Sequence, residues 1–381
     1  MAQPGPEREG TMAAAAKTRL KRIAICTGGG DAPGLNAVIR AVVVAAHRQG
    51  WEVVGIREGY SGLLEPQGDR DLVRLRPEDV EGITHLGGTI LGTTNLGNPL
   101  RYPVTLPDGR VEERDRTDEL VRAFRREKID ALVSVGGDGS LGIANALAKK
   151  GLRVVGVPKT IDNDLESTVV TFGFDTAVNF ATECIDRLHT TAASHRRVMV
   201  VEVMGRYAGW IALNAGISAN ADAILIPEVP FDLGKVAEVI RERERRGHKY
   251  AIVVAAEGAV PRGGRESVIE RRVGGGERLG GIGGRVASDL ARLTGKESRY
   301  VVLGHLLRGG TPTAFDRLIS LRFGAAAVRA LAAGRWGVMV ALDPPTVRYV
   351  PLARATRRMK SVPLDSDTVV TARELGISFG D

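Results

Sequence analysis

An α/β fold with largely parallel sheets is predicted, on three observations. Short apolar runs at 22–26, 53–56, 131–135, 154–157, 198–203, 251–255 and 300–303 have the length and composition of buried strands. Segments of helical periodicity separate them, the rhythm of strands joined by helical crossovers. The 381 residues are 43% hydrophobic, which is enough chain for two domains and enough apolar surface for their cores.

Taken in order, residues 1–18 combine Gly, Pro, Ala and charge without a strand pattern and are expected to form a disordered tail. The first strand is Arg22-Ile23-Ala24-Ile25-Cys26. Helices are expected over 34–46, 117–126, 176–190, 281–293 and 312–333, each with an apolar face to lay on a sheet. The segment 241–246 alternates arginine with glutamate, the pattern of an exposed helix. The stretch 260–277, rich in Gly, Arg and Glu, reads as a mobile surface excursion. No motif occurs twice, so the chain is not an internal duplication.

The formal net charge is +8, yet the basic residues are dispersed and only 4% of residues are aromatic. That argues against nucleic acid and for an arginine-rich surface with an anion-binding cleft. Cys26 and Cys184 are the only cysteines and lack metal-ligand spacing, so both are expected as buried thiols. No apolar run is long enough to span a bilayer, and no leader pattern is present. A cytoplasmic protein without a membrane partner is expected.

Three strand ends carry chemistry. The first runs into Thr27-Gly28-Gly29-Gly30-Asp31-Ala32-Pro33-Gly34 and then a helix, a turn whose glycines let backbone N–H groups approach phosphate. It has neither a Walker lysine-serine pair nor a dinucleotide fingerprint. The second, Val135-Gly136-Gly137-Asp138-Gly139-Ser140, places Asp138 to bind magnesium and Ser140 to open a helix beside phosphate. Lipid and NAD kinases share the Gly-Gly-Asp-Gly turn, so it does not by itself choose a substrate. The third, Pro158-Lys159-Thr160-Ile161-Asp162-Asn163-Asp164-Leu165, gathers a cation, a hydroxyl and two carboxylates. Such a group suits phosphoryl transfer; the same composition also makes an ordinary polar turn.

These turns, together with Met204-Gly205-Arg206 and Gly304-His305-Leu306-Leu307-Arg308-Gly309-Gly310, closely resemble the 6-phosphofructokinase family from about residue 22 to the C-terminal region. The resemblance implies two α/β/α sandwich domains with the site between them. A donor domain would take 19–172 plus 306–357, and a fructose 6-phosphate domain 173–305 plus 358–381. It implies transfer from ATP, with Mg2+, to the C1 hydroxyl of fructose 6-phosphate. Asp162 would be the base, Thr160 a contact of the moving phosphoryl group, Asp164 a supporting carboxylate and Arg206 the transition-state cation. Ile161, Met204, Gly205 and Glu257 would shape the sugar site. His305, Leu306, Leu307 and Arg308 would serve the sugar phosphate, together with Arg197 and Arg299 reaching across from a neighbour in a homodimer or homotetramer. Gly30, Gly137, Asp138, Gly139 and Ser140 would hold the donor.

The family pattern is departed from at several positions. ATP-using members commonly have glycine at both 139 and 159, while pyrophosphate-using members carry lysine at 159 and aspartate at 139. This chain pairs Gly139 with Lys159. A carboxylate at 139 would repel a nucleotide, so Gly139 favours ATP, and Lys159 merely adds a cation. Many ATP-using members have arginine where Asn95 stands, and Arg101 and Tyr102 are the expected substitutes. At the bacterial effector site Arg40 matches but Val44 does not, so weak or absent regulation by ADP and phosphoenolpyruvate is expected. The rivals are a pyrophosphate-dependent phosphotransferase, a kinase for another sugar phosphate, and an inactive sugar-phosphate-sensing subunit.

Overall fold

The computed structural model describes residues 20–65, 71–272 and 276–381, so the tail expected over 1–18 lies outside the described residues. Its strands are β1 (Arg22–Thr27), β2 (Glu52–Ile56), β3 (Leu72–Leu75), β4 (Tyr102–Thr105), β5 (Val111–Arg114), β6 (Ala131–Gly136), β7 (Val154–Pro158) and β8 (Val198–Val203). They continue with β9 (Ala223–Leu225), β10 (Ala251–Ala256), β11 (Val268–Arg272), β12 (Gly276–Leu279), β13 (Ser298–Val302), β14 (Val338–Asp343) and β15 (Thr346–Pro351).

The larger sheet has the order β15-β14-β7-β6-β1-β2-β3. Its pairings from β14 through β2 are parallel, and β3 and β15 close the two edges antiparallel. Side-chain alternation along β1 shows how it is buried on both faces. Ile23 and Ile25 point to a layer made by the Leu35–Arg48 and Ala314–Ala332 helices, while Ala24 and Cys26 face Leu120, Phe124, Leu141 and Ala144 of the Thr117–Arg126 and Asp138–Lys149 helices. The smaller sheet, β13-β8-β10-β9, is parallel throughout. The Phe174–His195 and Trp210–Ser218 helices cover one face, and Leu233–Arg245 and Ile282–Thr294 cover the other.

The expected helices and apolar strands form close to their expected bounds, and the fold is α/β with each of two sheets covered by helices on both faces. The later part of the excursion at 260–277 pairs as β11 with β12. Cys26 is buried as expected, whereas Cys184 is only partly covered on its helix. Among the described residues no helix is long and apolar enough to cross a membrane.

In the larger sheet the strand order reverses between β1 and β6, which lie side by side while their crossovers leave in opposite directions. Open parallel sheets leave a crevice outside the carboxyl ends of strands at such a point. Both glycine turns emerge there, and Gly28 N–H donates to Val135 O across the gap at 2.9 Å.

Candidate active site

The crevice is a cleft of about 330 Å³ lined by Gly28, Gly29, Gly30, Gly137, Asp138, Gly139, Ser140, Lys159, Thr160, Arg308 and the wall Thr94–Pro99, with Tyr60 at its base. Two of these glycines pack closely against side chains across the cleft. A Cβ on Gly28 would stand 2.7 Å from Ser140 Oγ, and one on Gly30 only 2.6 Å from Arg308 Nη1. Gly139 differs, because a Cβ there meets nothing within 4 Å. Asp138 opens the Asp138–Lys149 helix at the cleft surface, and desolvation by the surrounding protein raises its carboxyl pKa.

Lys159 leaves the end of β7 and is buried, with Nζ donating to Gly30 O in the first glycine turn. Burial, then the charge of Arg308, draws its pKa down to about 8, against the pull of Asp162, Asp164 and Asp31. Arg308 Nη1 donates to Asp31 O at 3.1 Å, so residues 277 apart in sequence meet at one phosphate loop. Thr160 Oγ1 accepts from Asp162 N–H at 3.1 Å and also bonds the Asp164 carboxylate. Asp162 is half-buried; its Oδ1 is shielded from solvent and has no hydrogen-bond partner. Burial raises the Asp162 pKa, opposed by Arg308 and Lys159, and Asp164 is pushed up to about 6 by burial and by Asp162. An isolated acceptor among cations is prepared to receive a proton or a donor from a ligand.

The smaller sheet aims its own carboxyl ends at the same place. Met204, Gly205 and Arg206 follow β8, Glu257 follows β10, and the Gly304–Arg308 turn follows β13. Glu257 is pushed up to about 7 by burial first, then by the charges of Asp162 and Glu202. Arg206 has a shielded Nε without a partner, and its guanidinium lies 4.9 Å over the Tyr207 ring. Ile161 and Leu307 are buried core side chains, whereas His305 and Leu306 are exposed.

Other expected residues stand elsewhere. Tyr102 does not line the cleft: it starts β4 facing inward, its ring under the Arg116 guanidinium at 4.6 Å and its hydroxyl on Glu65. Arg101 is exposed and also outside the lining. Arg197 and Arg299 sit at the amino ends of β8 and β13, both paired to Glu297, at 2.7 and 2.6 Å. A six-residue strand separates Arg197 from Met204, about 20 Å at 3.3 Å per residue, so this chain does not bring them to its own cleft.

Sequence reasoning gave no role to Thr93, whose hydroxyl donates to Gly29 O at 2.5 Å while Gly29 N–H donates to Thr94 O. Lys360, which holds the Asp162 loop from behind, carried no signal at all. Glu202 was findable as the one acid inside the apolar run 198–203. It accepts from Gly281 and Gly283 N–H and so caps the Ile282–Thr294 helix.

Two glycine turns at a parallel-sheet switch point, with carboxylates and cations converging from a second sheet, define an α/β protein built around an anion-binding cleft. The family model for phosphofructokinase matches residues 22–331, and the chain belongs to that family. It is 52% identical over 366 residues to an ATP-dependent 6-phosphofructokinase of Chloroflexus aurantiacus, covering 96% of this chain and 99% of the relative. It is equally 52% identical over 350 residues to a pyrophosphate–fructose 6-phosphate 1-phosphotransferase of Amycolatopsis methanolica, covering 90% and 96%. The fold matches the phosphofructokinase of Pichia pastoris in the T-state with a TM-score of 0.76 at 31% identity, covering 98% of this chain and spanning 37% of that longer one.

Proposed function

We propose that this protein transfers the terminal phosphoryl group of ATP to the C1 hydroxyl of fructose 6-phosphate, giving fructose 1,6-bisphosphate and ADP. The observation that carries the reading is Asp162, a carboxylate with a shielded, unpartnered oxygen and a raised pKa, beside Lys159 and Arg308 where both sheets end. Asp162 takes the proton as the C1 oxygen attacks the γ-phosphorus. The bond to the β–γ bridging oxygen breaks, and ADP leaves with that electron pair. Thr160, Lys159, Arg308 and Arg206 face the charge that gathers on the phosphoryl oxygens. Glu257 accepts from sugar hydroxyls, beside Met204 and Gly205. The donor lies on the half built from 19–172 and 306–357, and the sugar phosphate on the other.

Asp138 fits a magnesium ion in its chemistry, being an exposed carboxylate that lines the cleft and whose pKa is raised by desolvation. When bound there, magnesium neutralises donor phosphate charge. Among the described residues no group of three or more His, Cys, Asp or Glu is placed to hold a metal.

At the same 52% identity the relative named for ATP covers 96% of this chain and the one named for pyrophosphate 90%, which supports ATP as the donor. The open space at Gly139 supports ATP, and the contact of Lys159 with Gly30 O makes that lysine a part of the phosphate loop compatible with either donor. Arg197 and Arg299 lie at the far ends of their strands, which supports their acting in a neighbouring subunit's site within a homodimer or homotetramer. The deciding experiment is Asp162→Asn. Turnover is expected to fall at least about 100-fold with nucleotide binding retained; full turnover would refute the assignment of the base.

A further inference from the structure

The C-terminal segment after β15 joins the loop that follows β7 to the helix that follows β8, and one side chain in it bonds the loop of Asp162. Lys360 Nζ donates to Asn163 Oδ1 at 2.9 Å, Thr168 O at 3.1 Å and Val169 O at 3.0 Å. Its backbone N–H donates to Asp164 O at 2.7 Å, and its carbonyl accepts from Trp210 Nε1–H at 3.0 Å. The ammonium also lies 5.3 Å over the Trp210 ring. Trp210 begins the helix that directly follows Arg206.

Asn163 stands between Asp162 and Asp164 with φ at 51°, in the left-handed region that a non-glycine residue keeps only when its surroundings hold it. Two groups reach its side-chain oxygen, the Thr171 N–H at 3.1 Å and Lys360 Nζ. The lysine's three acceptors fill all three of its N–H bonds, so its geometry is fully specified.

We propose that Lys360 is a positioning residue for phosphoryl transfer, fixing the loop of Asp162 against the segment that follows Arg206 so that base and transition-state cation keep one separation. This rests on the reading of Asp162 as the base. Lys360 touches no substrate in that reading. Its loss therefore acts on the transition state more than on binding, since a displacement of about 1 Å in a reacting group lowers rate by roughly 100-fold.

The test is steady-state kinetics of Lys360→Met, Lys360→Arg and Trp210→Phe beside Asp162→Asn, below the melting temperature of each. The expected result for Lys360→Met is a kcat lowered about 10- to 100-fold with both KM values within about twofold of wild type. Lys360→Arg is expected to recover part of that loss, and Trp210→Phe, which breaks only the far side of the clamp, to lose less. A Lys360→Met enzyme with wild-type kcat, or one impaired only through KM, overturns the proposal. Should Lys360→Met fail to fold, wild-type kcat in both other variants overturns it. Failure of the base assignment is separate: it shows as turnover in Asp162→Asn, whereas failure of this proposal shows as inactive Asp162→Asn with active Lys360→Met.

Discussion

Replacing Gly139 with aspartate separates donor chemistry from folding. Position 139 lies in the first turn of the Asp138–Lys149 helix, and an added Cβ meets no atom within 4 Å. Aspartate is a somewhat better helix former than glycine, and a carboxylate near a helix N-terminus is favourable, though Asp138 next to it repels. Together these leave the apoprotein unchanged or more stable by up to about 1 kcal/mol. The effect on ATP has the opposite sign. A carboxylate roughly 6 Å from a bound phosphate, at an effective dielectric of about 20, raises the energy of the complex by about 2.8 kcal/mol for one charge pair, or about 100-fold. The assay couples formation of fructose 1,6-bisphosphate to aldolase, which reads ATP and pyrophosphate alike, and Gly139→Asn is the neutral control of similar bulk. We expect kcat/KM for ATP to drop about 100-fold in Gly139→Asp and much less in Gly139→Asn, with the ATP-to-pyrophosphate ratio falling at least about tenfold. ATP use within twofold of wild type in Gly139→Asp refutes the argument, and equal losses in the two variants assign the effect to bulk instead of charge.

Glu257 titrates near 7 in the fold, above the ordinary 4.5, so wild type loses stability as pH rises between those values. Glu257→Gln removes that loss: its melting advantage over wild type should be near zero at pH 4.5 and reach about 1–3 kcal/mol above pH 7, while sugar-phosphate binding weakens. No gain at pH 8 would count against a buried, raised carboxyl. Gly258→Ala builds a Cβ 2.0 Å from the Arg206 carbonyl oxygen and must shift that backbone, so a stability loss of about 1–3 kcal/mol with a drop in kcat is expected by denaturation and kinetics. Wild-type values for both would show that the loop relaxes freely. Arg197→Ala and Asp162→Asn, each inactive alone, are expected to regain about a quarter of wild-type activity when co-assembled at equal amounts, because half of random dimers then hold one intact site. No recovery would place Arg197 in its own subunit's site or outside any site.

What the sequence made legible was whatever a local pattern encodes. Apolar runs such as 131–135 and 251–255 are buried strands because burial on both faces leaves no polar position to interrupt them. The glycine turns were readable because each is a few contiguous residues at a strand end. Illegible elements lack such a pattern. The Trp210–Ser218 helix has no polar face to set a period, β9 is three residues long, and β4 and β5 form a hairpin whose β5 is exposed throughout.

The same distinction explains the site. Tyr102 looked available because it follows Asn95 closely in sequence, yet strand pairing with Arg114 turns its ring inward onto Arg116, and side-chain direction in a strand is set by register, not by proximity along the chain. Lys360 shows the converse. Its partners are two carbonyls and one amide that point together only after the loop 163–169 has folded, on the far side of almost two hundred residues of chain. Apart from Asn163, whose side-chain oxygen is one of the three acceptors, a lysine held by backbone oxygens leaves no residue type for a motif to require at the other end. A group that holds a loop mostly through main-chain acceptors is therefore visible only in the fold, whereas Asp162 and Thr160, which stand in one short motif at a strand end, could be read from the chain.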